Sequence, residues 1–151
     1  MRTVCFATFA AMFLVLGHIT ISSAGSAKEE YELQERCGER CEEVFEKRCP
    51  SVLPEGYGRS YVDAHGDLWI FSYECHYNRK LNKCFSLITS TTTYYLNKNL
   101  VDVNSNKTVG ACDFNIDSYA QHLSVKFCYV LSNRCQSESE WDALVKPYME
   151  E

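Results

Sequence analysis

The feature that most limits what this chain can become is an even set of eight cysteines placed downstream of an export signal. The first residues, MRTVCFATFAAMFLVLG, carry one positive charge, Arg2, and then an uncharged apolar run from 4 to 16. The small residues SSAGSA follow at 22 to 27. Basic start, short apolar core and small-residue cleavage site make up a secretory signal peptide. The run is shorter than the ~20 apolar residues a spanning helix needs, so cleavage is favoured over a membrane anchor. A cut after Ala24 satisfies the small–x–small pattern through Ser22, giving a leader at 1–24 and one domain at 25–151; a cut after Ala27 does so through Gly25. Either removes Cys5 and leaves Cys37, Cys41, Cys49, Cys75, Cys84, Cys112, Cys128 and Cys135. An even number of cysteines in a small exported chain implies a disulfide framework. Eight cysteines allow 105 pairings, and their order along the chain does not choose among them.

The stretch RCGERCEEVFEKRCP (36 to 50) puts three of these thiols on one short charged segment. Cys37-x3-Cys41 with Cys49 and a histidine has the makings of a zinc site. Structural zinc sites, however, match one close cysteine pair with another, and the remaining close pairs, Cys75/Cys84 and Cys128/Cys135, are widely spaced. Export through an oxidising compartment favours disulfides, and no metal or other cofactor is expected. Local bridges are plausible where turn-prone residues separate two cysteines, as NRKLN (78 to 82) does for Cys75/Cys84 and Ser132-Asn133-Arg134 does for Cys128/Cys135.

Periodicity predicts a helix over 28–49. Leu33, Cys37, Cys41, Val44, Phe45 and Arg48 share a stripe, with Glu32/Arg36 and Glu43/Lys47 as i, i+4 pairs on the charged face. Pro50 ends it, and 51–58 is a loop. Two β-rich runs follow, 60–64 and 68–77, around a His65-Gly66-Asp67 turn. Trp69, Phe71, Tyr73 and Cys75 share one face of the second run and Leu68 and Ile70 the other, which predicts a central strand covered on both sides. A third strand spans 83–93, and shorter strands follow, broken at 97–99 and 104–106. Alternation of Leu123, Val125, Phe127 and Tyr129 predicts a last strand. Ser137 and Glu140 form a capping box ahead of a final helix with Trp141, Leu144 and Val145 on its apolar side, limited by Pro147. The sum is an α+β domain: an N-terminal disulfide-stapled helix and a short C-terminal helix packed on one face of a curved antiparallel sheet of four to six strands.

The helical C-x3-C resembles that of cysteine-stabilised α/β domains, which tie such a helix to a sheet. This chain lacks the C-x-C those domains use on the strand side, so only a helix stapled to a sheet is carried over. YNRKLNKCF (77 to 85), LVDVNSNK (100 to 107) and EWDALVKPYMEE (140 to 151) resemble a pattern met in short exported proteins of uncharacterised function. That resemblance covers 73–151 and implies a compact C-terminal sheet.

Without Arg2 the mature net charge is about −6, which argues against a sequence-independent grip on nucleic acid. Two function classes remain. The first is a secreted effector of toxin or salivary type that binds an extracellular protein or a small ligand and acts as a monomer. A carrier holding an apolar ligand against Trp69, Phe71 and Tyr73 is a variant of it. The second is a small nuclease-like hydrolase using His65, His76 or His122 with Lys80, Lys83 or Lys126. No catalytic motif supports the second, so an enzyme is not favoured. Arg79, Lys80 and Lys83 read as a solvated turn rather than an anion site. Asn106-Lys107-Thr108 is an N-glycosylation sequon in a turn, and Asn106 is the expected acceptor.

Overall fold

The computed structural model describes residues 23–49, 59–117 and 122–150. The expected leader up to residue 22, with Cys5, lies outside the described residues, as does the 51–58 loop. Helix α1 spans Ser23–Arg48. Seven strands follow: β1 Arg59–Val62, β2 Leu68–Asn78, β3 Lys83–Thr91, β4 Tyr95–Asp102, β5 Lys107–Asp117, β6 His122–Val130 and β7 Asn133–Arg134. Helix α2, Glu138–Met149, closes the chain. The strands pair in chain order as one antiparallel meander. The class is α+β as expected, with more strands than four to six; the two-residue β7 is too short to leave a periodic signal.

The two helices lie on opposite faces of the sheet, not on one. Side chains alternate across a strand, and on β3 Cys84 and Ile88 join the cluster of Cys37, Cys41, Val44, Phe45 and Cys49 from α1. Their neighbours Phe85 and Leu87 join Trp141 and Val145 from α2. Strand β3 therefore carries two cores back to back, which explains its nearly continuous burial. The stripe on α1 holds, with one change. Arg48 points out and Cys49 is buried instead.

Short polar side chains fix the turns. Asp63 Oδ1 accepts from the N–H groups of His65 and Asp67 at 2.8 and 3.0 Å, and Gly66 takes φ +88° between them. Buried Asn78 accepts from Leu81 N–H at 2.9 Å and donates to Pro147 O at 2.8 Å, tying the β2–β3 turn to the end of α2. Strand β4 runs unbroken through 97–99. Asn99 donates to Asn97 on the same strand, Asn97 donates to Asp113 of β5 at 3.1 Å, and Lys98 reaches Glu138 of α2 at 2.7 Å, so the polar triplet is satisfied without breaking the strand. Helix α2 continues two residues past Pro147, with Ser137 as its N-cap. Strand β2 is covered on one face only along its first residues, since Leu68 and Ile70 are exposed.

Asp102 anchors the β4–β5 turn, accepting from Lys83 Nζ at 2.7 Å and from Ser105 N–H at 3.1 Å. Burial pushes its carboxyl up, but those partners outweigh burial and hold it below the usual carboxylate range. A depressed folded pKa adds stability above the unfolded value, and that stability is lost as pH falls through the folded one. Asp102→Asn keeps an acceptor for Ser105 and loses the charge. It is expected to cost about 1–2 kcal/mol at pH 7, and urea midpoints of the two proteins should converge below the ordinary carboxylate range.

Candidate functional site

The helix stripe ends in a pair of staples. Cys37 bonds Cys84 and Cys41 bonds Cys75, so both helix cysteines reach β2 and β3. The Cys75/Cys84 bridge expected from the turn does not form. The two lie diagonally on the face covered by α1, where each meets a helix sulfur. Cys128 and Cys135 make the local bridge around the β6–β7 turn. Cys49 and Cys112 remain buried thiols, one in each core. With the sheet between them they have no route to a fourth bridge in this fold.

Two sulfur clusters have the compactness of a metal centre: Cys37, Cys41, Cys75 and Cys84, and Cys112, Cys128 and Cys135, each with all sulfurs within 4.8 Å. In the first, non-bonded contacts run from 3.4 Å (Cys37–Cys75) to 3.9 Å (Cys75–Cys84). All four sulfurs there are spent in bridges, and metal ligation needs thiolates. In the second only Cys112 keeps a thiol, and burial pushes it up to about 12. Neither donor set suits zinc while its bridges are closed.

The candidate histidines sit on three different elements. His65 is exposed in the β1–β2 turn, and His76 lies eight residues along β2 from Leu68, roughly 26 Å at ~3.3 Å per residue. His122 opens β6, four strands along the sheet from β2. The basic group at the β2–β3 turn is engaged: Arg79 pairs with Glu30 at 3.3 Å and Lys83 with Asp102. Asn106 is exposed with φ +53°, and its Oδ1 accepts from Arg48 Nε at 3.0 Å. Arg48 also donates to Asn106 O and Thr108 Oγ1, so the helix end holds both polar residues of the sequon.

The feature that individual motifs do not reveal is an aromatic row on the α1 face. Tyr61, Trp69 and Tyr95 come from β1, β2 and β4, with ring planes within 8° and centroids 6.3 and 6.4 Å apart. Phe71 stacks on Tyr61 at 5.8 Å, and Lys126 Nζ sits 4.1 Å over the Tyr95 ring. Trp69 is set by its indole N–H, which donates to Asp63 Oδ2 at 3.0 Å. That bond is the first cause of the depressed Asp63 carboxyl. Helix α1 lies over β2 and β3, where Phe45 meets Tyr73 at 4.5 Å. Across β5 and β6 the same face shows Phe127 and Tyr129, 46 and 37 % exposed, beside Asn97, Asn99 and Asp113. The alternation at Trp69, Phe71 and Tyr73 signals one end of this row; the rest depends on strand order.

Comparison of the chain with protein-family models, with curated proteins and with solved structures gave no match.

Proposed function

We propose that this chain is a secreted extracellular binding protein of effector type, engaging a protein or a small ligand through the aromatic row of the α1 face. The observation that carries the reading is the alignment of Tyr61, Trp69 and Tyr95 from three strands, capped by Lys126 and continued by exposed Phe127 and Tyr129. Aromatic rings supply large contact area at small entropic cost, which is why they dominate binding surfaces. The disulfide framework and the lack of a membrane-spanning helix among the described residues accord with an extracellular setting. The scattered histidines weigh against the hydrolase reading.

The test is a binding screen of the oxidised protein against extracellular proteins and small ligands, followed by Trp69→Ala and Tyr95→Ala. Each is expected to weaken binding about 30-fold or more, the scale of an aromatic hot spot at ~2 kcal/mol. Binding unchanged in both variants removes the aromatic row as the site. A screen with no ligand at all, or turnover lost in a His-to-Ala series, removes the reading itself.

A further inference from the structure

Three sulfurs, those of Cys112, Cys128 and Cys135, lie within 4.8 Å of one another, while a disulfide uses only two. The bond present is Cys128–Cys135, and Cys112 is the buried thiol beside it. Cys112 and Cys128 are register partners across β5 and β6. Residues directly opposite on antiparallel strands stand ~4.5–5.5 Å apart at Cα, inside the span a disulfide accepts. The sheet thus offers Cys128 a second partner with little backbone movement. Cys135 sits two residues ahead of the N-cap Ser137 of α2. The existing bridge lies in the wall of a groove along β6 and β7 with Phe127, Tyr129, Arg134 and Gln136, where Cys128 and Cys135 keep only 6 and 5 % of their surface exposed.

We propose that Cys112, Cys128 and Cys135 form a thiol–disulfide exchange site, in which Cys112 is the alternative partner of Cys128 and Cys135 is the thiol delivered to the groove. Cys112 gives its proton to hydroxide, and its sulfur attacks Cys128 Sγ. The Cys112–Cys128 bond forms as the Cys128–Cys135 bond breaks, and Cys135 leaves as a thiolate. One thiol and one disulfide stand on each side, so the step consumes no oxidant or reductant. The released thiolate lies two residues ahead of the N-cap of α2, whose first turn already carries Glu138 and Glu140. Its co-reactant class is a small disulfide: Cys135 attacks one sulfur of R–S–S–R, the Cys135–S–S–R bond forms, and R–S⁻ departs.

Ionisation of Cys112 sets the rate. Burial opposes it most, Lys98 of β4 favours it, Asp113 of β5 opposes it by its charge and favours it through its backbone hydrogen bond, and Glu138 of α2 opposes it. Below the thiol's pKa the thiolate fraction rises tenfold per pH unit, so exchange should run about 100-fold faster at pH 9 than at pH 7.

The experiment takes the oxidised, folded protein at pH 7 and pH 9, with and without oxidised glutathione. Samples are quenched in acid and their bridges mapped by non-reducing digestion and mass spectrometry. The expected result is a Cys112–Cys128 peptide that accumulates faster at pH 9, with glutathione attached at Cys135. Persistence of Cys128–Cys135 alone at both pH values, with Cys112 alkylated only after denaturation, overturns the proposal. Cys112→Ser should keep Cys128–Cys135 and take up no glutathione; uptake equal to the parent's overturns it as well. Cys135→Ser should form Cys112–Cys128 on oxidation, and two free thiols in a folded variant count against it.

Discussion

Replacing Cys37 and Cys84 by alanine is expected to lower stability by about 3 kcal/mol, and removing the Cys41–Cys75 bridge as well should prevent cooperative folding. The estimate comes from loop closure. The bridges span 47 and 34 residues, and either alone restricts the unfolded chain by about 4 kcal/mol at 25 °C. They are nested, however. With one closed, the other closes a ring of only about a dozen residues and adds about 3 kcal/mol. Together they contribute about 7 kcal/mol, a large part of the 5–15 kcal/mol that typically separates folded from unfolded domains. Beside the bridges, α1 is held by a narrow buried stripe, in which only Val44, Phe45 and Cys49 are not bridging cysteines, and by polar contacts such as Arg48 to Asn106 and Glu30 to Arg79. Urea titration followed by circular dichroism reads both steps. A single-bridge variant should shift the midpoint and keep one transition. A variant lacking all four cysteines should lose both the transition and part of its helical signal. A four-alanine protein with a midpoint near the parent's would show that α1 is held by packing alone.

How much of this was legible in the chain depended on whether the signal was local. The α1 stripe, the capping box at Ser137 and the existence of β6 each reside within one element and appear where their patterns put them, but a bulge in β6 breaks its alternation, leaving Leu123 and Val125 on the α2 side and turning Phe127 and Tyr129 to the other face. The staple partners were not legible in this way. Cys75 and Cys84 flank a turn, which favours a local bridge, but the pleat aims both at α1, and that is a fact of tertiary packing. Asn97-Lys98-Asn99 looked like a break for the same kind of reason. Its polar side chains are paid for by Asp113, Glu138 and Asp142, on other elements. The opposite placement of the helices follows from β3 alone, once its Cys84/Ile88 and Phe85/Leu87 positions are assigned to two cores. The aromatic row needed the order of strands as well as their existence. Cys49 and Cys112 could not be singled out from an even count, since parity says nothing about which side of a sheet a cysteine faces.

Trp141→Ala is expected to be the most damaging single substitution on the α2 side, costing about 4 kcal/mol. Trp141 is fully buried and packs with Leu100, Phe114, Cys112 and Val130 in the second core. Helix α2 has 12 residues, close to the length at which an isolated helix is marginal in water. Its helicity therefore depends on this contact, with Lys98 holding Glu138 and Asp142 at one end and Asn78 holding Pro147 O at the other. Trp141→Phe separates packing from polarity. The indole N–H is buried with no hydrogen-bond partner among the described residues, and such a group costs about 1–3 kcal/mol. Phenylalanine removes that penalty while leaving a smaller void than alanine does, so the two effects oppose and the net loss should be about 1 kcal/mol or less. Urea midpoints give the two energies, and alkylation of Cys112 gives the location. In Trp141→Ala the thiol should become reactive at denaturant concentrations where Cys49, under α1 on the far face, is still protected. Simultaneous exposure of the two thiols would mean that the cores do not come apart separately. A phenylalanine variant as unstable as the alanine one would mean that the indole N–H has a partner after all.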